Sequence, residues 1–328
     1  MRAVVVEELG GPEALSLREV DEPAPGPGQV TVDVAYAGVN FADVLSRSQG
    51  YRVTALPFVP GLEVSGRVRA LGAGVTGFEV GQPVAAMLDR GGYADVVVAD
   101  TFRTFAVPAG PDGVDLRAAA ALTTVLATAY ALIHHAGRLQ PGESVLVQGA
   151  SGGVGIATGQ VARLAGAGRV YGVVSHPDKA KPALEFGYDE VFVGDDFDRQ
   201  LAEATGGRGV DLALDPVGGE VWQRSVASLA RYGRAVSYGN AGGAEPWSMA
   251  FGDLAPKAVS VSAFSILGLS AAEPQRLREL AEESLRLAAE HGIRLPVSAE
   301  FPLTEAAEAH RLVESRSSTG KLLLRVEA

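Results

Sequence analysis

A glycine-rich stretch near the middle of the chain has the residue types and spacing to bind a phosphate group. Residues 147–155 read VQGASGGVG, between a strand-like run and a helix-like run. In the G-x-G-x-x-G pattern of dinucleotide-binding proteins, small residues let the backbone turn tightly and approach a pyrophosphate. Ala150 stands in the first of these positions, which alanine can fill if its φ angle is negative. Gly152 and Gly155 stand in the other two, where we expect a Cβ atom to collide.

The helix that follows this stretch should supply the groups that bind the anion. The first main-chain N–H groups of a helix have no partner within it, and the helix dipole favours negative charge at that end. We therefore expect Gly153 and Val154 to donate their N–H groups to phosphate. A tight turn that binds no ligand would use the same small residues, but the strand–loop–helix context favours a dinucleotide.

The end of the next strand should decide which nucleotide is bound. NAD-binding proteins place an Asp or Glu about 20 residues further on, against the ribose 2′-hydroxyl, whereas this chain reads VVSHPDKAK there. Ser175 offers a hydroxyl and Lys179 a positive charge for a 2′-phosphate. Asp178 is the alternative, an acid of the NAD type, but it lies past Pro177, where an acid is often a partner of the helix dipole. The pattern favours NADPH, and a surface lysine without this role is the alternative for Lys179.

The runs around these residues predict an α/β protein. From about residue 117, strand-forming and helix-forming runs alternate strictly, which predicts a doubly wound parallel sheet of the Rossmann type. The first third of the chain has short β-rich runs separated by glycine and proline, typical of a mostly antiparallel, barrel-like domain. The few elements after residue 263 are too few for a third domain. We expect a catalytic domain of residues 1–120 and 263–328 and a nucleotide-binding domain of residues 121–262.

Composition narrows the possible partners. The 328 residues carry a formal net charge of −11 and no run of Lys or Arg, which argues against nucleic acid and anionic membranes and favours a small molecule. The absence of cysteine excludes disulfides, thiolate zinc sites and a cysteine nucleophile. The first ten residues lack the apolar region of a signal peptide, and nowhere do about 18 apolar residues follow one another. We therefore expect a soluble, cytoplasmic protein.

Five segments carry a recognisable pattern: GVNFADVLSRSQGY, PFVPGLEVSGRVRALGAGV, LTTVLATAYALIHHAGRLQPGESVLVQGASGGVG, LDPVGGEVW and SYGNAGG. In them the chain resembles, over nearly its whole length, the zinc-free quinone oxidoreductases of the medium-chain dehydrogenase/reductase superfamily. The resemblance implies a GroES-like catalytic domain that the C-terminal segment completes, with a Rossmann domain between. Zinc-dependent relatives have a Cys ligand where this chain has Asn40 and a His ligand where it has Leu62, so the resemblance implies no metal.

The resemblance also implies a set of cofactor contacts. Thr128 matches a threonine that touches the cofactor, and Lys321 matches a position close to it. The residues expected near the nicotinamide half are Tyr238, Gly239, Asn240, Phe264 and Ser265. Relatives often have a tyrosine near the 2′-phosphate where this chain has Gly194, so the preference for NADPH depends more heavily on Ser175 and Lys179.

Hydride transfer without a metal needs an acceptor that is already electrophilic, such as a quinone or an α,β-unsaturated carbonyl compound. A reduced quinone is a phenolate-like anion with a conjugate acid of pKa ~10, so water can protonate it. Tyr51 could donate its hydroxyl to the substrate carbonyl oxygen, or it could only pack in its loop. Asn40 could orient the nicotinamide ribose, donate to the same oxygen, or only cap the following helix. We interpret Asp43 as structural and leave the role of Glu63 open.

Three functions fit these residues. The first is an NADPH:quinone oxidoreductase. The second is a reductase of the same family that acts on the C=C bond of enones, alkenals or enoyl thioesters. The third is an NADPH-binding protein with little turnover. The β-rich run KAVSVSAFSI should lie at the edge of the parallel sheet, where an unpaired strand tends to find another chain, and it predicts a homodimer.

Overall fold

The computed structural model describes residues 1–107 and 115–326. The chain forms two compact units. The first consists of Met1–Thr124, Glu273–Leu285 and Leu295–Ala328, and the second of Val125–Ala272 and Arg286–Arg294. The assignment of catalysis and nucleotide binding to separate domains, with boundaries near residues 120 and 262, stays a prediction.

The strands and helices of the described residues are numbered in chain order. The strands are β1 (Arg2–Val6), β2 (Leu15–Glu19), β3 (Gln29–Val39), β4 (Glu63–Leu71), β5 (Pro83–Met87), β6 (Val96–Asp100), β7 (Thr104–Ala106), β8 (Ser144–Gln148), β9 (Arg169–Val174), β10 (Glu190–Val193), β11 (Val210–Asp215), β12 (Leu229–Ser237), β13 (Ser260–Ala263), β14 (Val297–Pro302) and β15 (Lys321–Arg325). The helices are α1 (Phe41–Gln49), α2 (Leu116–Ala131), α3 (Gly153–Leu164), α4 (Ala180–Leu184), α5 (Phe197–Ala204), α6 (Gly219–Ala227), α7 (Phe251–Leu254), α8 (Ile266–Ala272), α9 (Pro274–His291) and α10 (Ala306–Glu314).

The first unit is built on a mixed sheet with strand order β14-β15-β3-β4-β5-β7, and β6 also pairs with β3. Only β14 and β15 run parallel in these pairs; the others are antiparallel, which confirms the prediction of a mostly antiparallel domain. Strand β3 is central because valines such as Val30, Val32 and Val34 fill the core of this unit. The last strand, β15, pairs with β3 in the register Leu322↔Val39.

The second unit contains the predicted parallel sheet. Its strand order is β10-β9-β8-β11-β12-β13, and every neighbouring pair is parallel. In chain order this is 3-2-1-4-5-6, the order of the Rossmann fold. The chain moves outward from β8 to β10, then returns to β11 and moves outward on the other side. Ligands of such sheets bind outside the carboxyl ends of the strands at this switch point, which here lies between β8 and β11.

One helix is apolar enough to be compared with a membrane span. Residues Leu116–Ala136 form 21 helical residues whose most apolar window has a mean hydropathy of 1.6, and 67% of that window is buried. Threonines interrupt the apolar residues of this helix, so it contains no unbroken run of about 18 apolar residues. Its burial is that of a core helix in a folded protein.

Candidate active site

The turn after β8 has the backbone geometry expected of a phosphate-binding loop. Gly149 takes the left-handed conformation with a φ of 66°, and Ala150 is not among the described residues with positive φ. The condition for alanine in the first position is therefore met. The N–H of Ala150 donates to the carbonyl of Val173 in β9 over 3.0 Å, which fixes the turn to the neighbouring strand.

Gly155 and Gly152 are small for different reasons. A Cβ atom on Gly155 would lie 2.3 Å from the carbonyl oxygen of Gly149 and 2.7 Å from Cα of Ala150, so only glycine lets α3 lie this close to the strand. A Cβ atom on Gly152 would meet only the same carbonyl oxygen, at an ordinary 3.4 Å. The expected collision at Gly152 is therefore not with the protein. A need for glycine at this position would come from a ligand.

The helix after this loop begins at its glycine-rich end. Helix α3 begins at Gly153 with Gly152 as its extended N-cap. Gly152, Gly153 and Val154 are half-buried. The N–H groups of Gly153 and Val154 lie in the first turn, where no intrahelical carbonyl can accept them, so an anion could bind here.

The two residues expected at a 2′-phosphate follow the adjacent strand, β9. Ser175 is exposed directly after the strand, and Lys179 is half-buried at the end of the 3₁₀ turn Pro177–Lys179. Burial lowers the pKa of Lys179. The main-chain N–H of Asp178 donates to Nδ1 of His176 over 3.4 Å, while its carboxylate is exposed. The interpretation of Asp178 as a partner of the helix dipole stays a prediction.

The residues expected at the nicotinamide half follow β12 and β13 at the same edge of the sheet. Tyr238 is half-buried, and burial together with nearby Asp215 raises its pKa. Asn240 donates its side-chain N–H to the carbonyl of Ala244 over 2.7 Å. Phe264 donates its main-chain N–H to the carbonyl of Ser237 over 2.8 Å, which joins the ends of β12 and β13.

Three further predicted residues complete this group. Gly239 is exposed, and its missing side chain leaves room for the carbonyl of Pro216, which would lie 2.9 Å from a Cβ atom. Ser265 is exposed and accepts the N–H of Gly268 over 3.1 Å at the beginning of α8. Thr128 is buried in the last turn of α2. Every predicted residue of the second unit except Thr128 therefore lies at the carboxyl edge of the parallel sheet.

Sequence reasoning missed Asp215 at the end of β11, beside the switch point. Its carboxylate accepts the N–H groups of Val217 and Gly218 over 2.6 and 2.9 Å and so shapes the turn after the strand. Burial raises the pKa of Asp215, against the opposing effect of these hydrogen bonds. The sequence signal that could have identified Asp215 is an acidic residue at the end of an apolar strand, directly before the turn sequence PVGG.

In the first unit, strand register brings three polar side chains together. The pairs Leu322↔Val39 and Ala37↔Val64 place the beginnings of β15 and β4 on either side of the end of β3. The side-chain amide of Asn40 donates to Oε1 of Glu63 over 2.9 Å. Nζ of Lys321 donates to the same Oε1 over 2.6 Å and to Oδ1 of Asn40 over 2.8 Å. The two charged side chains are 0% and 3% exposed, so this is a buried ion pair.

The donors of this cluster are occupied within the protein. The third contact of the Lys321 ammonium is the carbonyl of Val39, at 3.2 Å. The second N–H of the Asn40 amide faces the carbonyl of Gly38 at 3.5 Å. An ammonium has three donors and an amide nitrogen has two. The oxygen of Asn40 keeps a second lone pair, so this side chain is an acceptor with respect to any further group.

Within the described part of the chain, no hydrogen bond joins Tyr51 to Asn40, Glu63 or Lys321. It follows the C-cap Gly50 of α1 and is 41% exposed, and its carbonyl accepts the hydroxyl of Ser46 over 2.9 Å. Its side chain is thus presented on the surface of the first unit.

Asp43 is structural, as predicted. It is fully buried, and its carboxylate accepts the main-chain N–H groups of Asn40 and Gly61 over 2.9 and 3.1 Å. Burial raises the pKa of Asp43 to about 7. Burial and the nearby Asp43 carboxylate raise the pKa of the Tyr93 hydroxyl, which lies 3.1 Å from Nε2 of buried His310. Burial lowers the pKa of His310 to about 3. This network holds the beginning of α1, and with it Asn40.

Two family patterns match the chain. "Alcohol dehydrogenase GroES-like domain" matches residues 26–109, and "Zinc-binding dehydrogenase" matches residues 153–286. Quinone oxidoreductase of Pseudomonas aeruginosa is 34% identical over 96% of this chain and 96% of its own length. A phthioceranic/hydroxyphthioceranic acid synthase of Mycobacterium tuberculosis is also 34% identical over 97% of this chain, which corresponds to 15% of the synthase. The structure of Escherichia coli quinone oxidoreductase complexed with NADPH is 31% identical, with a TM-score of 0.91 over 99% of this chain and 100% of that chain.

Because one matching family is described as zinc-binding dehydrogenases, the side chains of the first unit were compared with those of known zinc sites. Zinc in proteins is bound by Cys, His, Asp or Glu. Asn40 and Leu62 stand where the resemblance places ligands in zinc-dependent relatives, and the ammonium of Lys321 lies against the carboxylate of Glu63. Within residues 1–107 and 115–326, no three His, Cys, Asp or Glu residues are grouped so that they could hold a metal ion. These side chains do not fit a zinc site.

The two glycines of the loop should respond differently to the same substitution. Gly155→Ala should lower the free energy of unfolding by about 1–3 kcal/mol, because the new methyl group overlaps the backbone of Gly149 and Ala150 in the turn after β8. Gly152→Ala should change it by no more than about 0.5 kcal/mol, yet raise the Kd for NADPH about tenfold. Urea unfolding and calorimetric titration measure the two quantities. Unchanged NADPH affinity in Gly152→Ala would show that no phosphate approaches this backbone.

Proposed function

Because the chain belongs to the medium-chain dehydrogenase/reductase superfamily and its relatives include quinone oxidoreductases, we propose that it is an NADPH:quinone oxidoreductase that transfers hydride without a metal ion. That the chain is an oxidoreductase of this superfamily follows from its relatives, which are named quinone oxidoreductases. The observation that carries the rest is the carboxyl edge of the parallel sheet. There, the loop after β8, the polar residues after β9 and the turns after β12 and β13 follow one another across the switch point.

NADPH is the proposed cofactor, and a bound NADPH would supply the hydride. We assign the N–H groups of Gly153 and Val154 to the pyrophosphate, with Ala150 and Gly152 leaving room for it. We assign Ser175 and Lys179 to the 2′-phosphate. The residues assigned to the nicotinamide half are Tyr238, Gly239, Asn240, Phe264, Ser265 and, through its oxygen, Asn40. Thr128 is assigned to the cofactor without a choice of half. The E. coli relative that was solved with NADPH supports this choice of cofactor.

Quinones suit a site whose residues do not fit zinc. Reduction of a quinone needs no Lewis acid, because the acceptor is electrophilic and its reduced form is a stabilised anion. We propose that the exposed hydroxyl of Tyr51 donates a hydrogen bond to the substrate carbonyl oxygen and stabilises the developing charge. Asn40 is less suited to that task, since its amide hydrogens face Glu63 and Gly38. Water can then protonate the product.

A C=C reductase of the same family is the second candidate. A segment of an acid synthase is as similar to this chain as the quinone oxidoreductase of Pseudomonas is. Overall identity therefore does not discriminate between acceptors. Enones, alkenals and enoyl thioesters are all electrophilic enough to accept hydride without a metal. A low-turnover NADPH-binding protein is the third candidate.

Two further properties are part of the proposal. We place the enzyme in the cytoplasm, with small-molecule partners only. We also propose a homodimer, because β13 pairs with β12 alone among the described strands and its residues Ser260, Ser262 and Ala263 are exposed. An edge strand of this kind can pair with its counterpart in a second copy.

A panel of acceptors tests the activity. Consumption of NADPH, followed by its absorbance, is expected with p-benzoquinone, and comparison with an enone, an alkenal and crotonyl-CoA ranks the alternatives. A higher kcat/KM for an enone or thioester than for any quinone would favour the C=C reductase. Tight NADPH binding without turnover of any acceptor would favour the binding protein.

Substitution of Lys179 tests the cofactor assignment. Lys179→Ala should raise the Kd for NADPH about tenfold to a hundredfold, the loss expected for one hydrogen bond to a charged phosphate, and leave the Kd for NADH nearly unchanged. Lys181→Ala, two residues further on and exposed, is the matched control. An unchanged NADPH-to-NADH preference in Lys179→Ala would contradict the assignment.

Light scattering at micromolar concentration tests the dimer. The expected mass is twice the 33.8 kDa of one chain. Ser262→Lys, which places a charge on the exposed side of the edge strand, should shift the mass toward that of the monomer. A monomeric mass for the unmodified protein would contradict the proposal.

A further inference from the structure

Stability alone does not explain the buried ion pair between Glu63 and Lys321 in the first unit. Glu63 and Lys321 are 0% and 3% exposed. Removing two charges from water costs several kcal/mol per ion, and replacement of such a pair by apolar residues is often neutral or stabilising. The surrounding sheet already supplies an apolar core of valine, leucine and alanine. A pair retained in such a place is better explained by what it orients.

The pair holds the side-chain amide of Asn40 from both ends. The carboxylate of Glu63 accepts its N–H over 2.9 Å, and the ammonium of Lys321 donates to its oxygen over 2.8 Å. Rotation of the amide by 180° would put NH₂ against an ammonium and a carbonyl oxygen against a carboxylate. Both contacts would then be repulsive, so a single orientation is selected.

The backbone at Asn40 and the second oxygen of Glu63 are also fixed. The N–H of Asn40 donates to the buried carboxylate of Asp43 over 2.9 Å. Oε2 of Glu63 accepts the main-chain N–H of Thr124 over 2.8 Å, which ties β4 to α2. Thr124 lies one turn before Thr128 along α2. Glu63 thus bonds to one residue assigned to the cofactor and to the helix that carries another.

We propose that Glu63 is a positioning residue: together with Lys321 it fixes the Asn40 amide so that the oxygen of this side chain is presented to the nicotinamide half of the cofactor as a hydrogen-bond acceptor. The inference rests on the proposed function, since it takes Asn40 as a cofactor contact. The oxygen of Asn40 would then accept a hydrogen bond from a ribose hydroxyl or from the carboxamide N–H of the nicotinamide. Lys321 then acts through Asn40, because its three donors are already used within the protein.

Binding of NADPH and of a fragment of it separates positioning from general damage. Adenosine 2′,5′-bisphosphate carries the adenine half and the 2′-phosphate but no nicotinamide. Glu63→Gln should raise the Kd for NADPH about tenfold, since the amide of Asn40 loses its fixed orientation, while the Kd for the bisphosphate stays within about twofold. Glu300→Gln is the matched control: Glu300 is also paired with arginines in the first unit, at 2.9 and 3.2 Å, but lies on the outer strand β14.

A double variant keeps the test meaningful if Glu63→Gln is unstable, because the single substitution leaves a buried ammonium unpaired. Glu63→Gln combined with Lys321→Met removes both charges and should recover the melting temperature, yet NADPH binding should stay weakened because nothing holds the Asn40 oxygen. The proposal would be overturned if the double variant recovered its NADPH affinity together with its stability. It would also be overturned if Glu63→Gln bound NADPH as tightly as the unmodified protein, or lost affinity equally for NADPH and for the bisphosphate. Failure of the proposed function is distinct: the unmodified protein would then bind NADPH without reducing any acceptor, or bind no NADPH.

Discussion

The close approach of α3 to β8 is the constraint on which the nucleotide-binding edge depends. The approach is possible because Gly155 has no side chain where a Cβ atom would lie 2.3 Å from the carbonyl of Gly149. It brings the first turn of α3 to the carboxyl end of the central strand, so unpartnered N–H groups face outward at the switch point. The parallel sheet then aligns the ends of β9, β12 and β13 at the same edge. A helix even slightly further from the sheet would not present its N-terminus at that point.

The first unit uses a different device. Antiparallel neighbours of β3 begin where β3 ends, so residues far apart in the chain meet there without any loop having to be shaped for the purpose. Lys321 lies 258 residues from Glu63 in sequence, yet its ammonium contacts the carboxylate over 2.6 Å. The acid and the ammonium neutralise each other in a place with no access to water, and Asn40 lies between them as the one neutral member. The cluster occupies the region where the resemblance places zinc ligands in other members of the superfamily.

Buried polar groups recur around this cluster in a consistent order. Asp43 fixes the backbone of Asn40, Tyr93 lies near Asp43, and His310 from α10 bonds to Tyr93. Arg47 in α1 donates to the carboxylate of Glu314 in α10, so the C-terminal segment is joined to α1 by a hydrogen bond as well as to β3 by strand pairing. Each buried group costs solvation free energy that only a well-formed partner offsets, so the network tolerates one arrangement. Such a network suits a side chain that must present one oxygen in one direction.

The sequence by itself determined the α/β class, the glycine-rich turn between β8 and α3 and the residues at the ends of the parallel strands, because these features are local. A strand, a loop and a helix that follow one another can be recognised from period and glycine spacing, and Ser175 and Lys179 lie at a fixed distance from Ala150 along the chain. Family resemblance pointed to Asn40 and Lys321 but left Glu63 without a role. Only the tertiary structure decided that these three meet, that the hydrogens of Asn40 are occupied and that a Cβ atom on Gly152 would clash with no atom of the protein. Those facts depend on strand register and on distances between residues remote in sequence, which no local pattern specifies.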